Sequence, residues 1–242
     1  MDVNTYYIEH KVEQDHWWFF GRRELFKEHI KELRLPKSAS ILDIGSSSGT
    51  NLRMLQEMGF ENYQGLDISI EAQRFCHDKG LGEVVISDIQ TDNVGTDRFD
   101  LILATDVLEH LEKDGKALEN ILCALKHQGT LLLTVPCFKI LWGPQDIVAH
   151  HIRRYTKSKL EKKLTEMGFK IIKSNYFNFL LFFPILFMRK LLLLFRIHVN
   201  ENKINNETIN RLLKNIFLFD CMLAQKVKIP FGVSALFIAQ KN

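Results

Sequence analysis

Apolar positions along the chain change their period several times, and each change marks an element. Up to residue 39 they recur at helical spacing. The stretch "RRELFKEHIKEL" sets Leu25, Phe26, Ile30 and Leu33 on one face, so two helical pieces are expected around the aromatic segment "HWWFFGRR". The second ends before Pro36, whose ring disfavours helix in the residue ahead of it. From Ser40, short apolar runs alternate with helical ones. "SILDIG", "NYQGLDIS", "EVVISDI", "FDLILAT" and "GTLLLTVP" read as strands. "LRMLQEMG", "IEAQRFCHDKG" and "GKALENILCALKHQG" read as helices, the last closing at Gly129, and "DVLEHL" continues the fourth strand into a helix. This alternation predicts a parallel sheet covered on both faces. Past Pro136, "KSKLEKKLTEMGF" predicts a helix, "KIIKSNYFNF" a sixth strand and "GVSALFIAQK" a last one. The implied organisation is a helical lid over 1–39, a core over 40–179, an apolar helical insertion over 180–228 and a final strand within 229–242.

The run from Tyr176 to Phe195 has the length of a membrane span, but Asn178, Pro184, Arg189 and Lys190 interrupt it, and no span is expected. Two readings of the insertion stay open. It walls a substrate pocket, or it presents an apolar face to a lipid surface or lipid-linked acceptor, with Arg189, Lys190 and Arg196 at headgroup level. The apolar share of 46% permits a buried core, and 32 basic against 29 acidic residues (net charge +3) give no basis for a nucleic-acid partner. Cys76, Cys123, Cys137 and Cys221 have neither zinc nor disulfide spacing. The N-terminus is polar and acidic with no basic region ahead of an apolar run, so a cytoplasmic protein is expected.

The candidate chemistry sits at strand ends. "ILDIGSSSGTN" falls where the first strand turns into its helix, and Gly45 and Gly49 let the backbone approach a ligand. Asp67 ends the second strand, where a carboxylate can accept from both ribose hydroxyls. Asp88 and Ile89 follow the third, where an adenine finds an acceptor and an apolar wall. Thr105 and Asp106 end the fourth. The loop does not match the G-x-G-x-x-G of nicotinamide enzymes.

With "LDIGSSSGTN", "GLDIS", "SDI", "FDLILATDVLEHL" and "GTLLLTVP" in place, the chain resembles the class I S-adenosylmethionine (SAM)-dependent methyltransferases over about residues 40–178 and again in the final strand. "HWWFFGRR" and "HIRRY" make it similar to the ubiquinone-biosynthesis-like O-methyltransferases and a related bacterial group. The resemblance implies a Rossmann-like α/β fold: a seven-stranded, mostly parallel sheet with an antiparallel last strand. It implies SAM as cofactor and S-adenosyl-L-homocysteine as product. Asp43, Gly45, Ser46, Ser47, Gly49, Asp67, Ile68, Asp88, Ile89, Thr105, Asp106 and His110 would surround the cofactor. Trp18 would join an aromatic plug over it, and Arg22 or Arg23 would reach the methionine carboxylate. Ser47 departs from the family loop, which carries glycine there, and would be strained if its φ must be positive.

The resemblance selects His151 over His150 as the base that takes the acceptor's proton, with Arg154, Tyr155 and Trp142 toward the acceptor. Asp106, Glu109 and His110 would share one helical face, a pattern that binds magnesium in some relatives. Here the expectation is no metal, with Asp106 capping the helix and His110 packing beneath the site. The expected reaction is O-methylation of a small-molecule, glycan or lipid-linked acceptor. The alternatives are N-methylation of a small metabolite, or a catalytically silent SAM-binding module.

Overall fold

A computed structural model of the chain describes residues 3–195, 197 and 206–242. Seven strands, β1 (Ser40–Ile44), β2 (Asn62–Asp67), β3 (Val84–Ile86), β4 (Phe99–Thr105), β5 (Leu125–Pro136), β6 (Phe169–Phe177) and β7 (Ser234–Lys241), form one sheet in the order β3-β2-β1-β4-β5-β7-β6. The first five pair in parallel, and β7 lies antiparallel between β5 and β6. This is the Rossmann-like methyltransferase architecture, with its antiparallel last strand.

Alternation along each strand explains why both faces are covered. Leu42, Ile102, Leu131 and Phe237 point into one core, closed by α5 (Asp114–Ala124) and α7 (Lys157–Glu166). Their neighbours Ile41, Leu101, Leu132 and Leu236 point into the other, closed by α2 (Trp17–Glu32), α3 (Thr50–Glu57) and α9 (Glu207–Lys226). The remaining helices are α1 (Val3–Val12), α4 (Ile70–Asp78), the short α6 (Pro144–Val148) and α8 (Phe182–Leu194).

Three local expectations change. The fifth helix does not run to Gly129. It ends at Ala124, where its buried face is complete, and Leu125 enters β5 with no loop between. Gly129 serves the sheet instead: a Cβ there would lie 2.9 Å from the Phe99 oxygen, at the point where the β4–β5 register shifts. "DVLEHL" forms a 3-10 turn over Leu108–His110 rather than an α-helix, and Asp106 adopts φ 55° just before it. Finally, "HWWFFGRR" does not lie between two helical pieces but runs into the second. Trp17 begins α2, whose Leu25, Phe26 and Ile30 are core residues, and Phe217 of α9 stacks edge-on against both Trp17 and Trp18. Asn210 fixes the junction, accepting from the Trp17 N–H at 2.6 Å and donating to the Asp15 carbonyl at 2.6 Å.

Among the described residues no helix is long and apolar enough to cross a membrane. Arg196, one of the cations assigned to headgroup level, lies outside the described residues.

Candidate active site

The loop after β1 turns through Gly45 (φ 73°), Ser47 (φ 47°) and Gly49 (φ 89°) before α3 begins. Ser47 therefore does carry the left-handed conformation that its side chain opposes. Its contacts offset the strain. The Ser47 N–H donates to Asp67 Oδ2 at 2.9 Å, and its hydroxyl meets Glu9 Oε2 at 2.8 Å. Gly65 of β2 admits this turn: a Cβ there would lie 2.4 Å from Ser46 Oγ.

Glu9 belongs to α1, and α1 lies over the loop. Tyr6 donates to Asp67 Oδ1 at 3.0 Å, the same oxygen that accepts from the Ser69 N–H at 3.0 Å. Glu13 accepts from Thr50 Oγ1 at 2.9 Å, is bonded by Ser48 Oγ and pairs with Lys79 at 2.6 Å. Burial pushes the Glu9 carboxyl up to about 7, against the bond from Ser47. Sequence reasoning passed over Tyr6, Glu9 and Glu13, because their partners lie 35 to 66 positions away.

Beneath the loop, Asp43 is fully buried and accepts from Asn51 Nδ2 at 2.8 Å, while Asn51 also reaches Thr105 Oγ1 at 3.0 Å. Burial raises Asp43 to about 7 despite bonds from Asn51 and Ser46, and its Oδ2 has no hydrogen-bond partner among the described residues. That orphaned oxygen beside the backbone of Gly45–Gly49 fits a cofactor that brings hydrogen-bond donors. Of the two isoleucines expected beside adenine, Ile89 is buried in the core and Ile68, just past β2, is 64% exposed. Asp88 lies past the end of β3, where its Oδ1 accepts from the Gln90 N–H at 2.9 Å.

A cavity of about 360 Å³ opens along the carboxyl edge of the sheet, walled by the loop, α2, α8 and the turns after β4 and β5. Arg22 enters it, sandwiched against the Trp18 and Phe26 rings at 5.5 and 5.3 Å and paired with Asp106 at 3.0 Å. Arg23 does not act as a free cation. Its guanidinium is bonded to the carbonyls of Glu13 and Gln14 and ties α1 to α2.

His151 lines the cavity, and its Nδ1 lies 2.8 Å from Asp146 Oδ1. Asp146 is a buried hub. It accepts from Arg154 Nε at 2.8 Å and Nη2 at 3.0 Å and from the Gly143 N–H at 2.9 Å, with Arg189 Nη1 at 3.7 Å. Burial opposes its charge, but His151 and Arg154 outweigh burial and hold the carboxyl well below the usual range. With Nδ1–H pointing at a carboxylate, neutral His151 keeps Nε2 available to accept a proton. Glu109 Oε1 stands 3.9 Å from that Nε2, on a buried carboxyl with no hydrogen-bond partner among the described residues. Burial, with Asp106 nearby, drives Glu109 well above the normal carboxyl range. His110 packs edge-on to His151 at 4.8 Å, and burial and His151 lower it to about 3. The group that gathers is thus Glu109, His110 and His151, rather than Asp106, Glu109 and His110.

Two residues expected toward the acceptor lie away from the cavity. The Tyr155 hydroxyl sits 2.9 Å from Asp114 Oδ2 and 3.1 Å from the Leu108 carbonyl, and neither Tyr155 nor Trp142 reaches the cavity. Their place after the fifth strand was read correctly, but their side chains turn toward the fold. Arg154 does border the cavity while braced on Asp146.

Residues 17–174 match the methyltransferase-domain family, and the chain belongs to it. The match is to a methyltransferase domain, and solved structures of SAM-dependent methyltransferases share its fold. Over 176 residues it is 28% identical to a phosphoethanolamine N-methyltransferase of Plasmodium falciparum, covering 66% of each chain. It spans 24% and 28% of the plant enzymes of that name from Triticum aestivum and Zea mays. Solved structures share the fold: a SAM-dependent methyltransferase from Archaeoglobus fulgidus (TM-score 0.57, 18% identity, 90% of this chain and 94% of that one) and another from Mesorhizobium loti (0.57, 16%, 87% and 95%).

Proposed function

We propose that this enzyme methylates an oxygen of a small-molecule, glycan or lipid-linked acceptor, with His151 as the base. The observation that carries the reading is the Asp146–His151 pair at 2.8 Å on the cavity wall. SAM supplies a methyl group already made electrophilic by its sulfonium. The chain's own task is to align the acceptor, exclude water and remove one proton. A hydroxyl is a weak nucleophile until it loses that proton, which His151 Nε2 can accept while Asp146 balances the charge that forms on the ring. The cofactor would be held by Asp43, the Gly45–Gly49 turn, Asp67, Ile68, Thr105 and Arg22. The segments "HWWFFGRR" and "HIRRY" support a kinship with the ubiquinone-type O-methyltransferases.

The Plasmodium relative's name favours a second reading, methylation of the nitrogen of a phosphorylated amine. Radiolabelled SAM offered with hydroxyl-bearing acceptors and with phosphoethanolamine distinguishes the two, the methylated atom being assigned by mass spectrometry. His151→Ala should lower turnover about 10²- to 10⁴-fold with SAM affinity unchanged. Undiminished turnover would remove His151 from the chemistry.

Peripheral membrane contact also belongs to this reading. Phe183, Phe187 and Leu194 of α8 are 63, 68 and 74% exposed, and Lys190 shares their side of the helix. Co-flotation with anionic liposomes tests it, and a protein that stays at the bottom of the gradient contradicts it.

A further inference from the structure

The far wall of the cavity holds a residue that no part of the proposed chemistry uses. Asn178 follows β6, at the edge of the sheet opposite the cofactor loop. In the order β1-β4-β5-β7-β6 it lies four strand spacings from β1, on the order of 19 Å. Asn178 is one of the residues that line the cavity and is 1% exposed, yet neither Oδ1 nor Nδ2 has a hydrogen-bond partner among the described residues. Buried amides are almost always paired, so an orphaned one at a cavity wall points to a ligand.

The backbone shows that this placement is built. Asn178 sits at φ 59°, a conformation asparagine tolerates better than most residues. Its N–H donates to Asp220 Oδ2 at 2.6 Å, and the next two N–H groups donate to Asp220 Oδ1 at 2.8 and 2.9 Å. Its carbonyl accepts from the Val233 N–H at 3.3 Å. Gly232 allows that approach, because a Cβ there would lie 2.3 Å from the Phe177 oxygen. Asp220 is itself buried and spends its carboxylate on these three bonds. These bonds fix the main chain at Asn178, and with it the point from which the side chain leaves.

We propose that Asn178 is a specificity-determining residue for the acceptor, its amide pairing with a neutral group that carries a donor and an acceptor side by side, as two adjacent hydroxyls or a carboxamide do. This rests on the reading that the cavity takes the acceptor. Asparagine offers one carbonyl and one NH₂ and no charge, so it matches such an edge in a way that it cannot match a phosphate, which brings only acceptors. Glu109 is a second buried polar group on the same cavity whose carboxyl has no hydrogen bond among the described residues. The pairing makes a ligand lacking the polar edge costly, because both amide atoms then stay buried and unpaired.

The test is ligand-observed NMR on the full chain loaded with S-adenosylhomocysteine, with methyl α-glucoside, benzamide and phosphoethanolamine as probes. Asn178→Asp keeps the shape and the backbone tolerance but removes the donor. Asn178→Gly keeps the backbone and removes the side chain. One of the two neutral probes should bind wild type, and which one does distinguishes hydroxyls from a carboxamide. Both variants should weaken that binding roughly ten- to hundredfold, with SAM affinity within about twofold of wild type. The proposal falls if wild type takes neither neutral probe, if it takes only phosphoethanolamine, if the variants bind the neutral probe like wild type, or if they lose SAM affinity to the same extent. The readout needs no methyl transfer. Intact neutral-probe binding with failed transfer to oxygen therefore counts against the His151 chemistry and not against Asn178.

Discussion

Replacing Asp146 by asparagine removes one charge and almost no volume, and it should damage stability and turnover together. The carboxylate is fully buried and takes bonds from Arg154, His151 and the Gly143 N–H, with the Arg189 guanidinium at 3.7 Å. Asparagine keeps one acceptor oxygen but turns an NH₂ toward donors that need a partner. Breaking a buried ion pair from one side costs about 3–5 kcal/mol, a large share of the roughly 5–15 kcal/mol that holds a domain folded. At roughly 2–4 °C per kcal/mol for a chain of this size, the Tm should fall by about 10 °C. His151 also loses the group that fixes Nδ1–H, so turnover should drop about 10²-fold or more while SAM affinity holds. The pH dependence has a definite sign. The folded carboxyl titrates below its unfolded value, so its contribution is complete above about pH 4 and fades as pH falls through the folded pKa. The gap between the two proteins should be full at pH 7 and narrow only in acid. Thermal melts across pH, isothermal titration with SAM and single-turnover transfer measure these effects. A Tm within about 2 °C of wild type and undiminished transfer would refute the reasoning.

Other outcomes follow from the same contacts. Glu9 titrates near pH 7 in the folded chain, above its unfolded value, so its contribution is present in acid and lost as pH rises to about 7. Glu9→Gln should therefore gain on wild type by about 2 kcal/mol between pH 5 and pH 8 in urea denaturation; parallel curves would contradict this. Gly21→Ala should lose about 1–3 kcal/mol despite alanine's better helix propensity, because its Cβ would fall 2.1 Å from Phe217 Cδ1, and an unchanged urea midpoint would count against that packing. Ser47→Ala and Ser47→Gly both remove the hydroxyl bonded to Glu9, but only alanine retains the penalty of φ 47°. The glycine variant should be more stable than the alanine one by about 1 kcal/mol in the same assay, and equal stabilities would deny the strain.

What could be read from the sequence was local. Strand ends, the turn at Gly45–Gly49 and the acidic residues Asp43, Asp67 and Asp106 announce themselves within a few residues of an apolar run. Asp146, Tyr6, Glu13 and Asn178 carry no such mark. Asp146 stands in "GPQDIVAH" like any surface acid, and only folding brings Arg154 and Arg189 onto it. The helix over 114–124 looked longer than it is because "LKHQ" continues a helical pattern, and the sheet's demand for Leu125 outweighs that pattern. The aromatic cluster was visible, but its partner Phe217 lies about 200 positions away, so its attachment to α9 was not. Arg22 and Arg23 looked equivalent on paper. One step along the helix, about 100° around its axis, separates their fates, one toward Asp106 in the cavity and one toward the carbonyls of Glu13 and Gln14.

The position of β7 has a consequence for how the enzyme comes into being. It is the last strand in chain order, yet it occupies the gap between β5 and β6, and β6 has no other neighbour. On the ribosome, β1 to β5 and the cofactor loop have all their partners in the sheet once residue 136 has emerged, except along the outer side of β5. The acceptor wall, which includes Asn178, Val233 and Ser234, must wait for residues 234–241. Until then β5 and β6 each present an open edge that invites wrong pairing. The sheet around the Gly45–Gly49 turn can therefore form before the strand that completes the cavity wall at Asn178 has been made.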